Sequence, residues 1–215
     1  MTTTVLERDH LTWKPHAHVD KFTAENERDA MHILFPRRAA VVEKAKKMGH
    51  LHRLPGIVVP HITGEQMFAL NMEPYGVADE PGNLLLNAGI NRMGSLLIAG
   101  GGQGYNNANT AIGVGDTATA AAATQTDLSA AVNAANRYFQ MADATFPTFA
   151  VQVLTVTATF ATGNGNFVWN EWMIDQHTAS GATASVAAAL NRKVVALGTK
   201  TSAAAWAFTV TITIS

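Results

Sequence analysis

The sequence predicts a mainly β protein: an antiparallel β-sandwich of jelly-roll type over residues 83–215, behind an extended and helical N-terminal arm, residues 1–82. Three observations carry that prediction. Composition breaks near Gly82, because the first 82 residues hold 10 of the 15 Lys and Arg, 11 of the 16 Asp and Glu and 7 of the 8 His. The stretch Trp206–Ser215 alternates, with Phe208, Val210, Ile212 and Ile214 on one side and Thr209, Thr211 and Thr213 on the other. That is the period of a half-buried antiparallel strand. Several further segments of strand composition are separated by short turns, and helical patterning is confined to the N-terminal half.

In chain order, residues 1–22, with Pro15, His16 and His18, show no sustained period and read as an extended arm. A helix begins at Thr23, the N-cap of a box closed by Asn26, and carries Ala30, Ile33 and Leu34 as its apolar stripe until Pro36 stops it. A second helix spans about Arg37 to Met48, with Ala40, Val41, Ala45 and Met48 on one face, cations near its C-terminal end and Gly49 as its stop. Leu54–Pro60 reads as a short extended piece between prolines, and Glu73–Gly82 as a linker. Asn83 caps a third helix running to about Ala99, closed by the Gly100–Gly104 run. Strands are expected at Ala111–Gly115, at Val151–Phe160, at Asn166–Ile174 as its hairpin partner across Gly163-Asn-Gly165, at Arg192–Leu197 and at Trp206–Ser215.

Charged residues make up 14% of the chain and the net charge is −1. So little charge leaves a lone monomer poorly protected against association, so much of the surface is expected to be covered by other subunits. The absence of a basic excess argues against broad nucleic-acid binding. No cysteine is present, which excludes disulfides and thiolate metal sites. The first residues lack the apolar stretch of a signal peptide. Leu84–Ala99, broken by Asn87, Gly89, Asn91, Arg92 and Gly94, is too short and polar to span a bilayer. The expectation is a soluble protein with no membrane partner.

Each candidate for chemistry has a plainer reading. His16-Ala-His18 and His50-Leu-His52 would put two imidazoles on one strand face, yet no third ligand follows at metal spacing. Gly113-Val-Gly-Asp-Thr-Ala118 fits the letters of a dinucleotide fingerprint but lacks its strand lead-in, its helix and its later acid, so a turn is expected. Gly100–Gly104 has no Lys-Ser/Thr ending and is a connection. Glu171 and Asp175 could form a carboxylate pair, but strict alternation puts Glu171 on the face of Trp169, and His177 is the lone histidine after His61. No enzyme, cofactor or metal site is therefore expected. The basic set Arg37, Arg38, Lys44, Lys46, Lys47 and Arg53 is the candidate for docking onto an acidic partner surface.

Residues 84–215 carry a set of pieces that together resemble small structural proteins of tailed bacteriophages. They are Leu85-Leu-Asn-Ala-Gly-Ile-Asn-Arg-Met-Gly94, Tyr105-Asn-Asn-Ala-Asn-Thr-Ala-Ile-Gly-Val-Gly-Asp-Thr117 and Thr124-Gln-Thr-Asp-Leu128. Thr159-Phe-Ala-Thr-Gly-Asn-Gly-Asn-Phe-Val-Trp-Asn-Glu-Trp172, Leu190-Asn-Arg-Lys-Val194 and Leu197-Gly-Thr-Lys-Thr-Ser202 complete the set. The resemblance implies a non-enzymatic virion component assembled in the host cytoplasm, with a capsid decoration or minor capsid role on the capsid surface. The major capsid protein is then the partner, together with further copies of the chain, as in a trimer at local three-fold positions. The alternative is a tail, baseplate or fibre component that binds the host surface. The resemblance carries no catalytic motif, and residues 1–82 lie outside it.

Overall fold

The computed structural model describes residues 12–47, 59–185 and 189–215. Two five-stranded antiparallel sheets pack face to face, and the four helices among the described residues all lie in the N-terminal half. Sheet A has the order β2 (Gly76–Pro81), β1 (Trp13–Thr23), β10 (Ala204–Ile214), β7 (Val153–Phe160), β6 (Thr148–Ala150). Sheet B has the order β3 (Leu84–Leu85), β9 (Asn191–Thr199), β8 (Val168–Gln176), β4 (Thr110–Gly115), β5 (Arg137–Met141). The first and last strands pair over their full length, from Trp13 opposite Ile214 to Thr23 opposite Ala204.

The change of composition at Gly82 is therefore not a boundary of the sandwich. Residues expected as an arm form a sheet strand from Trp13 onward, bonded on both sides, and the expected linker Glu73–Gly82 contains edge strand β2. The reason lies in alternation that the polar residues disguise. Ala17 and Val19 face the inter-sheet core while His16, His18 and Asp20 occupy the outer face.

The core between the sheets is aromatic. Trp169 meets Phe160 and Trp206 edge to face, each at 4.7 Å between centroids, and Trp172 meets Phe208 at 5.5 Å. Both tryptophans reach this core although three positions apart, because the β8–β9 register shifts between Trp169 and Glu171. The bulge reverses the expected alternation: Glu171 points to the outer face of sheet B, away from Trp169. The strands β7 and β8 do not form a hairpin either. Gly163-Asn-Gly165 begins a connection that passes from sheet A to sheet B.

α1 (Ala24–Leu34) and α3 (Gly64–Ala69) cover one end of sheet A's outer face. The Thr23–Asn26 box forms as expected, and Thr63–Gln66 makes a second one. Phe22, Ala30, Ile62, Met67, Ala205 and Ala207 fill the seam beneath them. Gly64 lies so close to the sheet that a Cβ there would stand 2.4 Å from that of Ala207. α2 (Pro36–Lys47) buries Ala39, Val42 and Ala45 and exposes Ala40 and Val41. Two stripes of small apolar residues satisfy helical spacing here, and the neighbour, not the sequence, selects between them. Met48, Gly49 and residues 54–58 lie outside the described residues. The helix expected from Asn83 begins later: Leu84–Leu85 pair with β9, and α4 (Asn87–Leu97) starts after Leu86 without a side-chain cap.

Candidate functional site

The placement of charge is the main fact about the surface. After Gly82 the chain has ten Lys, Arg, Asp and Glu. Arg137, Asp143, Glu171, Asp175, Arg192 and Lys200 are buried, Arg92, Asp116, Asp127 and Lys193 are half-buried, and none is exposed. Of the six buried groups, three are clamps on the outer face of sheet B. Glu171 accepts the Ala130 and Ser129 backbone N–H groups at 2.8 and 3.1 Å and Arg192 Nε at 2.6 Å. Arg192 continues to Gln125 Oε1 and the Thr119 carbonyl, both at 2.9 Å. Arg137 donates to the Leu128 and Ala130 carbonyls and to Asp127 Oδ2 at 2.7 Å. A loop of Ala and Thr has little side chain with which to pack, and these groups hold its backbone instead.

Gly113 and Gly115 belong to this arrangement, inside β4 and not in a turn. A Cβ at Gly113 would fall 2.3 Å from the Phe139 ring, and at Gly115 2.4 Å from Glu171 Oε1. The fingerprint letters thus mark room for a ring and a carboxylate. Glu171 and Asp175 share a face, but Glu171 is saturated by Arg192 and backbone, and Asp175 binds His177 Nε2 at 3.1 Å. His177 is stacked at 3.9 Å on Phe139, with Nδ1 3.4 Å from Thr183 Oγ1. This hydroxyl–imidazole–carboxylate order was not visible in the sequence because its hydroxyl is a threonine beyond the strand. The buried ring ties β8 to the following loop.

The outer face of sheet A divides in two. Beyond the helices it is a terrace of threonines: Thr155 and Thr157 on β7 stand opposite Thr211 and Thr209 on β10, and Thr148 on β6 stands opposite Thr155. The Thr157 and Thr209 hydroxyls lie 3.0 Å apart. His16 and His18 continue the rows on β1. His18 Nδ1 lies 2.6 Å from Asp79 Oδ1 and its Nε2 3.0 Å from Asp20 Oδ1. Burial works to lower the His18 pKa, but bonds and charge from the two carboxylates outweigh it and raise the value. Among the described residues no group of three or more His, Asp and Glu is arranged to hold a metal ion. His50 and His52 lie outside the described residues.

At the free edge of sheet A, β6 and β7 are joined by Val151 and Gln152, both in the left-handed region at φ 49° and 64°. Such a two-residue turn normally takes Asn-Gly. A β-branched residue there is strained, and Val151 is 91% exposed beside Phe149 at 64%. No residue pattern announced this tip, because the strand composition simply continues through it. A second apolar spot closes α4, where Leu97 is 87% and Ile98 78% exposed.

The candidate docking cations occupy α2. Arg37, Arg38, Lys44, Lys46 and Lys47 are all exposed, and Arg53 lies outside the described residues. At 100° per residue, Arg37, Lys44 and Lys47 fall within about 80° of one another on the outward side. Lys46 lies 3.7 Å from Glu43, at the rim of a groove of about 730 Å³ between α1, α2 and residues 161–164. The groove walls mix Glu27, Arg28, Met31, His61 and Val42. No protein-family model matches the chain, and no curated protein or solved structure matches it either.

Proposed function

We propose that this chain is a non-enzymatic structural protein of a tailed-bacteriophage virion, a decoration or cementing protein bound to the assembled major capsid lattice. The observation that carries the reading is the neutral exterior after Gly82, where charge is spent inside the fold and Thr, Ala and Val face outward. Interface cores are depleted in charge, whereas a free monomer needs it. Neighbouring copies on the threonine terrace, as in a trimer, and the strained Phe149–Val151 tip against the shell give that exterior its partners. Local strain kept at an exposed apolar tip is the kind of conflict retained for contact. The outward cations of α2 complement an acidic shell surface and set register and on-rate. A protein that binds only assembled shell stabilises it by mass action.

The experiment adds purified protein to shells prepared without it and counts bound copies on stained gels. Saturation at a fixed number per lattice unit, with resistance of the filled shell to heat restored, is the expected result. A few copies per particle together with binding to host cells would point to the tail or baseplate instead, and no binding to any particle would overturn the reading.

A further inference from the structure

Lys200 follows β9 and is 1% exposed. Its backbone N–H donates to the Phe167 carbonyl, one step beyond the Val168–Thr199 pair, so its position is fixed by the sheet. Nζ lies 2.8 Å from the Ala161 carbonyl oxygen and 2.9 Å from Asn166 Oδ1. The Asn166 amide is held at its other end too, since Nδ2 donates to the Thr162 carbonyl at 2.8 Å. An amine and a primary amide are thus clamped against each other where the chain passes between the sheets. Glu27 of α1, itself buried, accepts the Thr162 N–H at 3.2 Å, and its charge bears on Lys200. Burial pushes the Lys200 ammonium down to about 8, against the opposing charge of Glu27. A desolvated lysine in that range presents a neutral, nucleophilic amine in mildly alkaline solution.

We propose that Lys200 and Asn166 form an intramolecular isopeptide bond. The Nζ lone pair attacks Asn166 Cγ and a carbon–nitrogen bond forms. One proton passes from the attacking nitrogen to Nδ2 through solvent at the exposed Asn166 side chain. The Cγ–Nδ2 bond then breaks and ammonia leaves, so one amide replaces another and nothing is oxidised or reduced. The geometry divides the tasks: the amine side is buried, while Asn166 is exposed and gives ammonia a way out. The bond would tie the sheet-to-sheet connection to the end of β9, across 34 residues of chain.

Intact mass of the denatured full chain tests this directly. The expected mass is lower than that of the sequence by one ammonia, and a tryptic digest gives a branched peptide joining the segments of Asn166 and Lys200, uncut after Lys200. Lys200→Arg and Asn166→Ala are expected at their full sequence masses; Asn166→Ala alters an exposed side chain, so it serves if the lysine variant fails to fold. A succinimide at Asn164–Gly165 would lose the same mass, so Asn164→Ala must keep the deficit. Wild-type protein at its full mass, a deficit that survives Asn166→Ala, or a linear peptide map would overturn the proposal.

Discussion

On α2, Arg37, Arg38, Lys44, Lys46 and Lys47 stand in solvent; in the sandwich, Arg137, Arg192 and Lys200 are buried with their donors spent on backbone carbonyls and side chains. The same side-chain chemistry thus has two uses in one chain. Outside, charge is free for a partner and costs the fold little when removed. Inside, charge replaces the side-chain packing that an Ala/Thr loop cannot supply, and removing one member strands the others. A low charge count therefore says little until the location of each charge is known.

Substitutions that exchange these roles sharpen the contrast. Glu171→Ala leaves the buried Arg192 guanidinium without its carboxylate and frees the Ala130 and Ser129 N–H groups, the first of them buried; breaking such a pair costs about 3–5 kcal/mol. Urea denaturation should show that loss together with proteolytic cutting in residues 117–130. Val151→Asn relieves the left-handed valine, worth about 1–2 kcal/mol per L-residue, so the midpoint should rise while attachment to shells falls. A rise without loss of attachment would remove the tip from the interface. Arg37→Glu with Lys44→Glu and Lys47→Glu should change stability by no more than about 0.5 kcal/mol each, yet abolish low-salt shell binding measured by sedimentation.

The smallest effect belongs to His18, a partly exposed group screened by solvent. Its folded pKa lies above the ordinary 6.5, so its contribution is complete below that value and fades as pH rises through the folded one. Asp79 and Asp20 hold the ring, with His16 beside them. A pH series of denaturation midpoints should show this slope in the wild type and a flatter one in His18→Gln.

The sandwich was legible because alternation in Trp206–Ser215, and in the Val153–Phe160 part of the strand expected at Val151–Phe160, has period two whatever the neighbours are. The cap at Thr23 was legible because its hydrogen bonds are local. β1 and β2 were not, since half-buried strands with polar outer faces look like arm and linker until their partners are known. The pair Trp169 and Trp172 did hold a signal, as two large aromatics three apart in a strand require a bulge if both are to be buried. Of the candidate site, the outward cations could be read from the sequence. The clamps on the 117–130 loop and the Lys200–Asn166 contact could not, because they join residues far apart in sequence.

Imaging of intact particles by cryo-electron microscopy, at a resolution that separates strands, tests the central claim most directly. The account predicts the ten-stranded sandwich repeated over the capsid lattice, with the threonine terrace and the Phe149–Val151 tip covered by neighbours and the α2 cations against acidic shell residues. Particles without this density, or with the terrace and tip bare to solvent, would contradict it.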